Sequence, residues 1–311
     1  MAYITVEKFY KDNKDFLQLK LIAGKKGLNN TIKKPRVQKP GLALAGYFSQ
    51  LHPERIQVFG NTEVSYLNTL TIEQRRYIIE KLCEFSITCF VITKNLDISY
   101  ELVKRCRSHS IPIIKTILSS SEFISKVVPY LEDNLAPQVS IHGVLLDVYG
   151  VGILILGKSG IGKSECALDL ISRGHRLVSD DVVDIKLYQS NILTGSGPDL
   201  IRYHMEIRGL GIINIKDLFG ISSIRQSKKI ELIINLEEWK QDEVYDRLGL
   251  EEEKYDILGV DLPMLKMPVA PGRNMAIIIE VAARNQLLKI RGYNSAREFN
   301  EILLKKLEIK E

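Results

Sequence analysis

Eight consecutive residues, Gly157-Lys158-Ser159-Gly160-Ile161-Gly162-Lys163-Ser164, fit G-x-x-x-x-G-K-[ST] without a gap, the pattern of a loop that cradles phosphates. The residue types explain the chemistry. Gly157, Gly160 and Gly162 carry no Cβ, so the backbone can turn tightly and aim its N–H groups at phosphate oxygens. Lys163 is spaced to reach the β- and γ-phosphates of a nucleotide such as ATP, and the Ser164 hydroxyl can take one position on Mg²⁺. The pattern implies binding of a nucleoside triphosphate.

Such a loop needs a strand to enter it and a helix to leave it. Residues 151–156 read as a buried strand. Residues 165–173 read as a helix closed by Gly174, whose N-terminal dipole faces the phosphates. Upstream, residues 139–148 read as a strand that forms a hairpin with 151–156, hinged on Tyr149-Gly150. His142 lies on that strand, where a lone histidine reads first as a satisfied core residue. Downstream, residues 176–183 read as a strand carrying Asp180 and Asp181. Side chains alternate across a strand, so one of the two can face the phosphates. A carboxylate there can hold Mg²⁺ through water or accept a proton from an attacking hydroxyl. No run of four apolar residues precedes the pair, so this is not the Walker B strand of a motor ATPase.

Residues 205–214 set Glu206 and Arg208 beside a Gly-x-Gly break. That suits a metal ligand with a phosphate clamp, and equally a glycine bend in a strand. Residues 230–236 read as another buried strand, and 237–260 as an acidic excursion holding Trp239 and Arg247. Residues 267–274 form a rigid turn with Arg273 at its tip. Helices over 275–290 and 295–308, broken at Gly292, close the chain.

Ahead of all this, strand patterns at 56–59, 89–92 and 111–114 alternate with helical patterns at 71–85, 99–107 and 121–131. Thr71 is the expected N-cap of the first of these helices, with Gln74 at the box position. A helical pattern over 6–21 opens the chain. The alternation argues for a parallel α/β layer domain, and it holds no catalytic constellation. With residues 133–137 as linker, the expectation is an α/β protein: a small N-terminal α/β layer domain, 1–134, followed by a P-loop domain, 135–311.

At 311 residues, with 45% hydrophobic and 26% charged, the chain has the make-up of a globular protein. No apolar run approaches the ~18 residues of a membrane span, and no signal-peptide core opens the sequence. The four cysteines lack metal-binding spacing and read as buried thiols of a cytoplasmic protein. The net charge of +5 is uneven: residues 1–134 hold 20 Lys and Arg against 13 Asp and Glu, and residues 135–311 hold 23 against 25. The excess sits mostly in 25–39. No aromatic residue is interleaved there and no DNA-binding motif accompanies it, so nucleic acid is not expected. The stretch reads as a solvated basic edge or a surface for an acidic partner protein.

Placed together, these segments resemble bacterial HPr kinase/phosphorylase. The residues that carry the resemblance are His142-Gly143, Gly157 to Ser164, Ser179-Asp180-Asp181, Met205-Glu-Ile-Arg-Gly-Leu-Gly211 and Pro271-Gly-Arg-Asn274. It is strong over 135–311 and reaches the first domain through 40–48. The resemblance implies an ATP-dependent protein serine kinase that acts on HPr, the phosphocarrier of the sugar phosphotransferase system, and regulates carbon metabolism. It also implies removal of that phosphate by phosphorolysis, using inorganic phosphate and giving pyrophosphate. Carried over, residues 157–164 bind nucleotide, Ser164 and Glu206 hold Mg²⁺, and Asp181 takes the serine proton and returns it in reverse. His142, Lys163, Arg247 and Arg273 complete the implied catalytic set, with Arg273 serving mainly phosphorolysis. Homohexamers are implied as well. The alternatives are a P-loop kinase of a small molecule and a nucleotide-gated regulatory protein. The N-K-x-D of a GTPase switch is absent, and a mere sensor would not need Asp181.

Overall fold

Two short strands rich in β-branched and aromatic residues, β5 (Ile56–Phe59) and β6 (Cys89–Ile92), are buried at every position, as parallel strands covered on both faces must be. Flanked by β4 (Val37–Gln38) and β7 (Ile113–Thr116), they form a parallel run, and β2 (Leu19–Ala23) adds antiparallel to β7 at the far edge. A separate pair joins β1 (Ile4–Thr5) to β3 (Thr31–Ile32). Helices α2 (Gly41–Leu44), α3 (Asn61–Thr69), α4 (Ile72–Glu84) and α5 (Tyr100–Ser108) cover one face. The other is covered by α1 (Val6–Asn13) and α6 (Ser120–Leu135). Thr71 and Gln74 close the expected capping box around the start of α4. The helix expected over 6–21 stops at Asn13. Leu17, Leu19 and Leu21 recur with period two, which suits the strand that β2 becomes rather than a helix.

This computed structural model describes residues 3–188, 191–198, 201–239 and 253–308. By internal contacts the chain divides into two units, Met1–Ala136 and Pro137–Glu311. Among the described residues no helix is long and apolar enough to cross a membrane, and all four cysteines are buried and free.

The second unit is built in three layers. Its middle is a six-stranded sheet made of β9 (Val144–Val148), β10 (Val151–Gly157), β11 (Arg176–Ser179), β17 (Leu232–Glu238), β18 (Glu253–Ile257) and β19 (Val260–Val269), in the order β11-β9-β10-β17-β19-β18. β10, β17 and β19 run parallel. Helices α7 (Lys163–Ser172) and α9 (Met275–Ile290) pack on one face. On the other lies a four-stranded sheet of β8 (Gln138–His142), β12 (Val182–Tyr188), β13 (Ile192–Ser196) and β16 (Ser227–Lys229). A hairpin of β14 (His204–Ile207) and β15 (Gly211–Asn214) leads into the short α8 (Ile215–Phe219), and α10 (Ser295–Glu308) ends the fold.

The hairpin hinged on Tyr149-Gly150 forms as expected, pairing Val148 with Val151. Two expected strands break. The run 139–148 divides at Gly143, where a Cβ would lie 2.7 Å from the Ile155 carbonyl oxygen, so only glycine lets the chain pass so close to β10. The run 176–183 divides at Asp180-Asp181. Each chain leaves one sheet and enters the other at its break, and His142 pairs with Val182 just beyond. The crossover point lies beside the phosphate loop.

Candidate active site

β10 delivers the chain to the loop and α7 receives it. Gly157, Gly160 and Gly162 adopt φ of 146°, 82° and 100°, conformations that side-chain-bearing residues rarely hold. At Gly160 space is a second constraint: a Cβ would stand 2.8 Å from a terminal nitrogen of Arg208. The arginine therefore lies directly over the loop. Lys163 folds back, its Nζ donating to the carbonyls of Gly157 at 3.0 Å and Lys158 at 3.1 Å. Around the loop opens a cleft of about 170 Å³, lined also by Ser164, Asp180, Asp181, Glu206 and Arg208.

The two acids at the crossover differ sharply. Asp180 is buried, and Ser164 Oγ donates to its two oxygens at 2.9 and 3.2 Å. Burial pushes its carboxyl above the usual range, opposed by hydrogen bonds from Ser164 and from the Glu206 amide. Asp181 points outward. Its φ is 65°, and the Val182 amide donates to the Asp180 carbonyl at 2.8 Å, closing a three-residue turn around it. A non-glycine residue in such a turn is strained, a feature that clusters at functional sites. The Gly143 amide secures the turn by donating to the Asp181 carbonyl at 3.0 Å. His142 Nδ1 then stands 3.7 Å from Asp181 Oδ1, with both side chains exposed.

The glycine bend over 205–214 is a hairpin. Met205 is buried, so alternation turns Glu206 outward, and Arg208, two residues on, follows to the same cleft. On the other flank of the loop, Pro271 and Gly272 occupy the centre of a turn closed by the Arg273 amide donating to the Ala270 carbonyl at 3.1 Å. Gly272 has φ of 80°, as the third residue of a type II turn requires. The Arg273 guanidinium donates to the Pro268 carbonyl at 3.0 Å. It lines a second cleft of about 240 Å³ that shares Gly162 and Glu165 with the first. Thus His142, Lys163, Ser164, Asp181 and Glu206 converge, Arg273 stands across the loop from them, and Arg247 lies outside the described residues.

Two further site residues stand outside the set that the resemblance implies: Asp180, one of the paired acids, and Arg208, which the sequence suited to a phosphate clamp. The signal for Asp180 was its adjacency to Asp181 one helix after the loop; for Arg208 it was the two-residue spacing from Glu206. Among the described residues no cluster of three His, Cys, Asp or Glu forms a ready-made metal cage. Ser164, Asp180 and Glu206 nonetheless offer hard oxygen donors around one cleft. That partial set fits Mg²⁺, which keeps waters and substrate phosphates in its shell.

The chain matches two family models, HPr Serine kinase N terminus over residues 4–131 and HPr Serine kinase C-terminal domain over residues 133–303. An HPr kinase/phosphorylase of Geobacter sulfurreducens is 53% identical over 307 residues, spanning 99% of this chain and 96% of that one. One of Bacillus cytotoxicus is 45% identical over 299 residues, 96% and 97% of the two chains. A solved chain, the Hpr(Ser) kinase/phosphatase from Coxiella burnetii, is 38% identical, covers 52% of this chain and 99% of its own, and has a TM-score of 0.47. Matched along nearly its whole length by both family models and by relatives of 45% and 53% identity, the chain belongs to the HPr kinase/phosphorylase family and is an enzyme of the protein kinase/phosphorylase class.

Proposed function

We propose that this enzyme uses ATP and Mg²⁺ to phosphorylate a serine of HPr, and removes the phosphate by phosphorolysis at the same site, thereby regulating carbon metabolism. The observation that carries the reading is the meeting of Asp181 and His142 with the phosphate loop at the crossover of two sheets. Residues 135–311 are the catalytic part, and residues 1–134 a separate α/β domain.

In the forward direction the loop amides and Lys163 hold the nucleotide phosphates. Ser164, Asp180 and Glu206 would hold Mg²⁺, which neutralises charge on the phosphates when bound. Asp181, exposed at the mouth, accepts the serine proton as the serine oxygen bonds to the γ-phosphorus and the bond to the β-phosphate oxygen breaks. His142, within reach of Asp181, orients that carboxylate. In reverse, an oxygen of inorganic phosphate held at the loop attacks the phosphoserine phosphorus. The serine oxygen departs, taking the proton from Asp181, and pyrophosphate forms. Both directions move a phosphoryl group between a serine oxygen and a phosphate oxygen, so reversal needs a different occupant rather than a different site.

Arg273, across the loop, clamps the anion that serves phosphorolysis. Arg247 completes the set, and six chains assemble, with no role for nucleic acid or membrane in this reading. The test is direct. The protein is incubated with ATP, Mg²⁺ and HPr, the phosphate is located on the product, and phosphate is then added in place of ATP. Phosphate on a serine of HPr, released afterwards as pyrophosphate, supports the reading; transfer to a small molecule, or release as inorganic phosphate, contradicts it.

A further inference from the structure

The five-stranded sheet of the first unit ends on β2, and an edge strand carries a row of backbone N–H and C=O groups without strand partners. A cleft of about 440 Å³ runs beside it, lined by Leu21, Ile22 and Ala23 of the strand, by Lys25 and Lys26 just past its end, and by Arg107 of α5. Leu21 and Ile22 pack against the cores on opposite faces of the sheet, so the strand is firmly held. Its register with β7 shifts at Ile22. Lys25, Lys26 and Arg107 are exposed, and none has an acidic partner among the described residues.

Lysines often guard a sheet edge against stray pairing, but a guarding charge projects from the strand itself. Lys20 is such a charge, exposed on β2, but the groove begins past it, and its own cations stand beyond the strand and on the facing helix. A groove between an edge strand and a helix is the geometry in which modules add a peptide as an extra strand. We infer that this groove takes an extended, acidic segment of a partner protein, added as a strand along β2 with its carboxylates toward Lys25, Lys26 and Arg107. A protein fits better than a nucleic acid. The strand edge offers backbone donors and acceptors to a peptide, and the groove has no aromatic side chain on which a base could stack.

The test uses the full chain and a fluorescently labelled peptide of alternating Val and Glu, followed by anisotropy. Two competitors join it: the same peptide N-methylated at alternate backbone nitrogens, and an oligothymidylate of equal charge. The expected result is saturable binding of the unmodified peptide, weakened about tenfold or more by N-methylation and by Lys25→Glu/Lys26→Glu or Arg107→Glu. All three substituted side chains are exposed, so these variants keep the fold. No binding of the unmodified peptide overturns the inference. So does equal binding of the N-methylated peptide or of the oligothymidylate, since either means the patch attracts any polyanion.

Discussion

Adjacent in sequence, Asp180 and Asp181 occupy opposite surroundings: Asp180 is 6% exposed and bonded to Ser164, while the Asp181 side chain is 76% exposed beside His142. Burial raises the Asp180 pKa above the ordinary carboxyl value of 3.8. The native state therefore keeps that proton to higher pH than the unfolded chain does. Across the window from 3.8 upward to the raised value, stability falls as pH climbs. Asp180→Asn removes the buried charge and keeps an acceptor for Ser164. At neutral pH the variant should melt at a higher temperature than the parent in metal-free buffer, while losing kinase activity on the order of a hundredfold. A lower melting temperature together with full activity would remove Asp180 from the site. The loop was legible because its spacing is set by the ligand rather than by the fold. Which acid faces which way was not, because the alternation that governs a continuous strand ends where this one crosses between sheets.

At the scale of elements, α7 is stapled to α9. Glu280 accepts from Arg173 Nε at 3.1 Å and from a terminal nitrogen at 2.7 Å, and lies 2.9 Å from His175 Nε2. Tyr149 meets the His175 ring edge-on at 4.7 Å and lies under Arg284, tying the β9–β10 hairpin to the same point. Arg173 holds the Glu280 carboxyl down at about 2. With a depressed pKa the sign reverses: the contribution is whole above the ordinary value of 4.5 and is lost as pH falls from there toward about 2. Glu280→Gln should cost roughly 2 kcal/mol near neutral pH, with the deficit closing in acid; a pH-independent deficit in denaturant titrations would mean that packing, not charge, is responsible. Since α9 starts just after Arg273, the turn before it is held by the same staple. Arg273→Ala should slow phosphate-driven release of pyrophosphate by tens to hundreds of fold, about 2–4 kcal/mol, with a smaller loss in phosphorylation. If phosphorylation falls more, through a raised KM for ATP, the second cleft holds the nucleoside and the clamp role is wrong. Strands β5 and β6 were readable from short apolar runs, and α4 from its cap. The breaks at Gly143 and Asp180-Asp181 were not, since they answer to a neighbouring strand and a second sheet that no local pattern reports.

For the whole molecule, the alternating elements before residue 134 and the loop after it foretold two α/β parts, but no sequence pattern reports which apolar side chains the fold leaves exposed. Large apolar side chains stand exposed in sequence from the tip of the β14–β15 hairpin onward: Leu210 at 66%, Ile212 at 74%, Leu218 at 62% and Ile221 at 77%. A contiguous apolar patch marks a contact surface, and these side chains are the candidates for one. Sedimentation should give a hexamer, and Ile221→Glu should shift it to smaller species; an unchanged mass would place the contacts elsewhere. One carboxylate, that of Asp181, is proposed to serve both directions of phosphoryl transfer. Asp181→Asn keeps the size of the side chain and removes its basicity, and it is exposed, so folding is spared. Initial rates of ATP-driven phosphorylation and of phosphate-driven pyrophosphate release, taken on one preparation alongside nucleotide affinity, test that claim directly. Both rates should fall together by about 10²–10⁴-fold with nucleotide affinity kept; one activity surviving at the parental rate would mean that the two reactions do not share Asp181.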